Sequence, residues 1–349
     1  MALQIAGRSI GIDHPPFVIA EMSGNHNQSL ERALSIVDSA ANAGAHAIKL
    51  QTYTADTITL DVSGGDFQIN DPNSLWDGQN LHDLYSQAYT PWSWHEPIIR
   101  RANQHGMICF SSPFDESAVD FLEQLDVPAY KIASFENNHL PLISKAASSG
   151  KPLIISTGMA SLGELEQAVI AARSAGCTQL ILLKCTSTYP ASPENTNILT
   201  IPHMRGLFDV EVGLSDHTMG IGVAVASVSL GATVIEKHFT LSRSDGGVDS
   251  SFSLEPNELQ NLVNETESAW KALGRPSYGP TDAEVNSLAF RRSIYVSEDI
   301  SAGEVFTTEN IRIVRPGKGA PPSFFRQILG HKALRSYSRG TPLCLDQLF

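Results

Sequence analysis

Eight short apolar runs, rich in β-branched residues, recur along the first two-thirds of the chain. They are FVIAEMS (17–23), AHAIKLQ (45–51), MICFSSP (107–113), AYKIAS (129–134), PLIIST (152–157), QLILLKCTS (179–187), VEVGLSD (210–216) and TVIEKHF (233–239). Most are continuous instead of alternating, as expected of strands covered on both faces in a parallel sheet. Helical patterns lie between them. SLERALSIVDSAANAG places Leu30, Ala33, Leu34, Val37 and Ala41 on one stripe and stops at Gly44. SLGELEQAVIAARSAG opens with a capping box, Ser161 with Glu164, and stops at Gly176. EPNELQNLVNETESAWKALG has Pro256 near its start and Gly274 at its end. Eight strands alternating with helices predict an α/β fold, a (β/α)8 TIM barrel.

Two stretches fall outside that alternation. Residues 52–92 are rich in Asp, Asn, Gly and Thr and carry Trp76 and Trp92. A connection that long is usually functional, as a lid or a subunit contact. After Tyr278-Gly279-Pro280 the sequence reads as short strands and turns, with a weak repeat between ISAGEVFTTENI (300–311) and YSRGTPLCLDQL (337–348). The expected organisation is a barrel over 1–280 and a small β-rich domain over 286–349, joined within 275–286.

The net charge of −13 disfavours a phosphate backbone as partner. No apolar run approaches ~18 residues, so no membrane span is expected. The N-terminus shows no basic region followed by an apolar one. Cys109, Cys177, Cys185 and Cys344 have no CxxC spacing and read as thiols of a cytoplasmic protein.

In a barrel of this kind chemistry sits at the C-terminal ends of the strands. Those ends carry Glu21, with Asn25 and His26 beyond; Lys49 and Gln51; Ser111 and Ser112; Lys131, Ser134 and Glu136; Ser156 and Thr157; Lys184, Thr186, Ser187 and Tyr189; Ser215, Asp216 and His217; and Glu236 and His238. Burying such charges without partners costs several kcal/mol each. One interior lysine is as readily a satisfied ion pair as a ligand group. The same placement at eight strand ends points to a site. Two ammonium groups with hydroxyl donors suit a phosphate and a carboxylate. His217 and His238, at the ends of adjacent strands, suit a divalent metal, with Glu21 as third ligand or base and Asp216 as an orienter. His82, His95, His105 and His331 read as solvated or locally bonded, and His26 as near the site.

AEMSGNH, KLQTYT, SSPFD, AYKIASFE, ISTGMAS, LLKCTSTYP, GLSDHT and EKHFTL, in this order, resemble the sialic acid synthase family, and SAGEVFTTENI with IRIVRPGKG resembles its antifreeze-like (SAF) domain. AYTPWSWH, KIASFE, KCTSTYP and SDGGVDSSFSL look more like the pseudaminate-forming members than the neuraminate-forming ones, which usually carry Asn where this chain has Ser187. Legionaminate-forming members are the near alternative. The resemblance implies condensation of phosphoenolpyruvate with an acetamido-sugar aldehyde, 2,4-diacetamido-2,4,6-trideoxy-altrose, with release of phosphate. It implies a divalent metal on His217 and His238, usually Mn²⁺, with Mg²⁺ or Co²⁺ as alternatives. It assigns phosphoenolpyruvate contacts to Lys49, Lys131, Ser134, Ser156, Ser187 and Ser215. It gives pocket positions to Glu21, Gln51, Tyr189 and Glu236; Ser112, Glu136 and Phe290 are further substrate-binding candidates, and Glu21, Lys49, Lys131 and Glu236 are the expected catalytic residues. Arg315 matches an arginine that enters the partner's barrel in a domain-swapped homodimer. Glu21 is expected to accept a proton as water adds. A Schiff-base aldolase, a 3-deoxy-sugar-phosphate synthase and a non-enzymatic glycan- or ice-binding module are the competing readings.

Overall fold

The computed structural model describes residues 3–72 and 74–347. The chain opens with a hairpin, β1 (Leu3–Ile5) against β2 (Arg8–Ile10). Eight parallel strands follow: β3 (Phe17–Glu21), β4 (Ala47–Thr52), β5 (Ile108–Pro113), β6 (Tyr130–Ile132), β7 (Leu153–Ser156), β8 (Leu180–Cys185), β9 (Glu211–Asp216) and β10 (Val234–His238). They close into a barrel in sequence order, with β10 pairing β3. Each of the eight apolar runs supplies one strand. The helices begin where their caps predict. Ser161 and Glu164 form a reciprocal capping box before Leu162–Ser174, and Pro256 opens Pro256–Leu273.

Strand parity divides the core in two. Val18, Ala20, Ile48, Leu50, Ile132, Leu182 and Leu214 face the helices. Phe17, Ile19, Ala47, Phe110, Ala129, Ile154, Ile181, Leu183 and Val234 fill the lumen. Ile5 and Ile10 of the hairpin join this inner cluster, so the hairpin plugs the N-terminal end of the barrel. A lumen filled by branched side chains is a packed core and not a pore. One step further along each strand, parity turns Glu21, Lys49, Ser112, Lys131, Ser156, Ser215 and Glu236 inward, above that apolar floor. Gly213 is required in β9, because a Cβ there would stand 2.2 Å from the Val234 carbonyl oxygen.

The long connection is not irregular throughout. It contains helices Ala55–Ile58 and Leu81–Ala88. Tyr53, 2 % exposed, packs edge-on to Tyr85 and Phe114 and pins its start to the barrel.

The chain splits into two compact units, Met1–Gly274 and Arg275–Phe349. The second has its own core of Ile294, Val296, Ile300, Phe306, Ile311, Ile328 and Leu343. Its hairpin pairs β11 (Ser293–Val296) with β12 (Ile311–Val314), and Ile300 bridges Tyr337, joining the starts of the two repeat-like segments. Leu348, within the second of these, lies outside the described residues.

Candidate active site

The layer above the apolar floor is an ion-pair network. Lys49 Nζ lies 2.7 Å from Glu21 Oε2 and 3.7 Å from Glu236 Oε1, and Lys131 Nζ lies 3.5 Å from the same Glu236 oxygen. All four side chains are buried. Lys49 also donates to Ser112 Oγ (3.1 Å), Gln51 Nε2 to Glu21 Oε1 (3.0 Å), and Ser215 Oγ to Glu236 Oε1 (3.4 Å). Adjacent registers bring these groups together: Glu21 stands opposite Lys49, and Glu236 opposite Ser215.

Their charged neighbours pull these two buried carboxylates apart in proton affinity. Burial pushes Glu21 up to about 7 against the pull of Lys49, with the charge of Glu236 adding to the rise. Glu236 is lowered, because Lys131 and Lys49 more than offset its burial. Lys131 is lowered by burial, whereas Glu21 and Glu236 outweigh burial at Lys49 and raise it. A pair of carboxyls separated in this way marks one for proton transfer and one for fixed charge.

On the mouth side stand the two histidines, ring centroids 5.3 Å apart. His217 Nδ1 lies 2.9 Å from the Thr186 carbonyl oxygen. A carbonyl only accepts, so in the neutral ring Nδ1 carries the proton and Nε2 keeps its lone pair. His238 Nδ1 is buried without a hydrogen-bond partner among the described residues, 4.0 Å from Asp249 Oδ2. Tyr189 lies 4.4 Å from His217 and packs on Phe252. Asp249 accepts a hydrogen bond from Ser23, and burial raises its carboxyl. Burial pushes the Cys185 thiol up, and His217, Lys131 and Ser187 together outweigh burial and bring it to about 7.

The hydroxyl side is equally compact. Ser187 Oγ donates to Ser134 Oγ (2.7 Å), and Ser156 Oγ is buried with no partner among the described residues. Gly158, at φ 47°, allows this approach: a Cβ there would stand 2.6 Å from Ser134 Cβ. Glu136 has a buried, unpartnered Oε2, and burial pushes its carboxyl up to about 7. Above these groups opens a cavity of about 820 Å³, lined by Gln51, Ser134, Glu136, Ser187, Tyr189, His238 and Asp249, and by residues of the 53–88 connection.

Several expectations change. Glu21 as a metal ligand does not fit, because it is committed to Lys49 and Gln51. Among the described residues no group of three His, Cys, Asp or Glu is placed to hold a metal. Asp216 does not orient a histidine. It points outward, where Lys237 Nζ donates to its Oδ2 (2.8 Å) and to the Thr218 carbonyl oxygen (2.5 Å). Lys184 has the same outward parity and donates to the Cys185 carbonyl oxygen (2.8 Å). His26 lies against Thr90 and Trp94. His95 is no surface residue: it is fully buried, 2.8 Å from Thr52 Oγ1. Phe290 and Arg315 belong to the second unit and are exposed. Asp249 escaped the strand-end reading because it lies eleven residues past the last strand.

A TIM barrel with paired lysines, carboxylates and two histidines at its strand ends is the frame of an anion-handling enzyme. The NeuB family model matches residues 36–278 and the SAF domain model residues 291–348. This chain belongs to the NeuB family. It is 43 % identical over 331 residues to the pseudaminic acid synthase of Campylobacter jejuni, covering 95 % of this chain and 96 % of that one. It is 37 % identical to the N,N'-diacetyllegionaminic acid synthase of Legionella pneumophila, covering 95 % and 94 % respectively. A crystal structure of N-acetylneuraminic acid synthetase from Leptospira borgpetersenii superposes with a TM-score of 0.73 at 31 % identity, over 82 % of this chain and 95 % of that one.

Proposed function

We propose that this protein is a pseudaminic acid synthase, condensing phosphoenolpyruvate with 2,4-diacetamido-2,4,6-trideoxy-altrose and water to give pseudaminic acid and phosphate. The observation that carries the reading is the network of Lys49, Lys131, Glu21 and Glu236 beneath the histidine pair, in a NeuB-family chain nearer to a pseudaminic than to a legionaminic acid synthase.

Lys49 and Lys131 hold the phosphate and carboxylate of phosphoenolpyruvate, with Ser134, Ser156, Ser187 and Ser215 as hydroxyl donors. The unpartnered Ser156 Oγ supports this placement. C3 of phosphoenolpyruvate bonds to the aldehyde carbon, and positive charge develops at C2. Water adds at C2, and Glu21 takes its proton. A carboxyl at about 7 is matched to that task at neutral pH. Glu236 stays anionic and balances the lysines. Collapse at C2 turns the added hydroxyl into the ketone carbonyl, breaks the C–O bond and releases phosphate, which carries off the hydroxyl proton; the proton taken from water goes to the alkoxide left by the aldehyde. His217 and His238 stand with ring centroids 5.3 Å apart, and His238 lines the cavity with its Nδ1 unpartnered among the described residues; this pair would hold a divalent cation, Mn²⁺ foremost. Held by His217 and His238, such a cation would supply Lewis-acid polarisation of the aldehyde oxygen.

A homodimer in which Arg315 enters the partner's barrel completes the reading. Residues 271–292 are exposed throughout, including Val285, Leu288 and Phe290, an apolar surface suited to a subunit contact. The buried free thiols suit a cytoplasmic setting.

The test is phosphate release from phosphoenolpyruvate with altrose-, mannose- and legionaminate-type precursors. The altrose-type sugar is expected to give the highest kcat/KM. A higher value with either of the others overturns the sugar assignment.

A further inference from the structure

The connection between β4 and β5 builds one side of the cavity. Ile58, Ile69, Leu75, Trp76 and Leu81 face the cavity from it, with Asp71 and Ser74 as polar neighbours on the same connection. No lysine or arginine lines that cavity among the described residues; its charged lining residues are Asp71, Glu136 and Asp249, all acidic. The wall is held in place. Trp76 Nε1 donates to the Val248 carbonyl oxygen (3.2 Å), tying the connection to the loop after β10. The Trp76 ring lies 6.0 Å from Tyr189, whose ring lies 4.4 Å from His217. An extended six-carbon chain spans about 6 Å from C1 to C6. A sugar with its aldehyde oxygen at the histidines and its chain running past Tyr189 brings its far end toward this wall.

From this geometry we propose that the wall formed by Ile69, Leu75 and Trp76 selects the sugar at C6. It accepts a 6-deoxy terminus and disfavours a hydroxymethyl or a phosphorylated one. The inference rests on the synthase reading above and names its selecting surface. A methyl group fits against apolar side chains. A hydroxyl at the same place finds no partner on them, and a phosphate dianion meets acidic residues and no cation. An apolar pocket discriminates by about 10–200-fold for one methylene and by about 100-fold for an added hydroxyl. The wall residues do not touch the reacting atoms, so they act on binding more than on turnover.

The experiment compares kcat/KM for phosphate release with 2,4-diacetamido-2,4,6-trideoxy-altrose and with its 6-hydroxy counterpart. The parent is compared with Leu75→Asn, Ile69→Asn and the apolar control Leu75→Met. The parent is expected to prefer the 6-deoxy sugar within that range. In the Asn variants the ratio falls about tenfold, through a higher KM for the 6-deoxy sugar at nearly constant kcat, and Leu75→Met retains the parental ratio. Equal use of both sugars by the parent, or an unchanged ratio in both Asn variants, overturns the wall as selector and leaves the synthase reading standing. A parent active with mannose-type precursors but with neither altrose sugar overturns the sugar assignment, and this inference with it.

Discussion

Lys237 has no place in the reaction, yet it sits between Glu236 and His238. Its ammonium is buried against Asp216 Oδ2 at 2.8 Å and the Thr218 carbonyl at 2.5 Å, and both charged side chains are 1 % exposed or less. Asp216 also accepts from the Thr218 N–H (2.9 Å). The pair ties the last turns of β9 and β10, each of which leads directly to a histidine. Lys237→Met keeps the stem and removes the charge, leaving the Asp216 carboxylate buried and unpaired. Breaking one side of a buried pair costs about 3–5 kcal/mol. The assay is equilibrium urea unfolding in the presence of chelator, so that bound metal adds nothing. The double variant Lys237→Met/Asp216→Leu removes the stranded charge and is expected to recover more than half of the loss. Calorimetry on folded Lys237→Met is expected to show weaker Mn²⁺ binding than the parent. A loss below about 1 kcal/mol, the scale of an exposed ion pair, refutes the argument that this pair is a buried clamp.

Three other outcomes follow from the site. Glu21→Gln is expected to lower kcat by about 10²–10⁴-fold with the fold intact, and near-normal turnover removes Glu21 as the proton acceptor. In the parent, kcat/KM is expected to rise with pH through about 7 as Glu21 ionises, and Glu21→Gln to lose that limb. His217→Ala is expected to abolish stoichiometric Mn²⁺ binding by calorimetry; unchanged affinity removes the metal from this histidine. Glu136 is raised by burial to about 7 from 4.5, so its neutral form is favoured on folding. Its contribution to stability is present below pH 4.5 and is lost as pH rises through about 7. Glu136→Gln should therefore flatten the fall in urea stability between those values.

The barrel was legible because eight continuous apolar runs each supply a strand, and helix caps such as Ser161 with Glu164 act within four residues. Site chemistry was legible where a polar residue interrupts an apolar strand, as at Lys49, Lys131 and Glu236. What a linear reading lacks is facing. Lys49 and Lys237 both interrupt apolar runs, but only parity, set by register against neighbouring strands, sends one into the lumen and the other behind it. His217 and Asp216 differ by one residue and so by one face; a one-residue shift in that strand would exchange the two side chains. Asp249 and the Trp76 wall were illegible for another reason. They lie on connections, and their position depends on tertiary ties such as Ser23 to Asp249 and Trp76 to Val248. Strand ends place the groups proposed for the shared chemistry. The connections above them carry the side chains argued to choose the sugar, so residues 53–88 and 243–252 are where family members should be compared when their substrates differ.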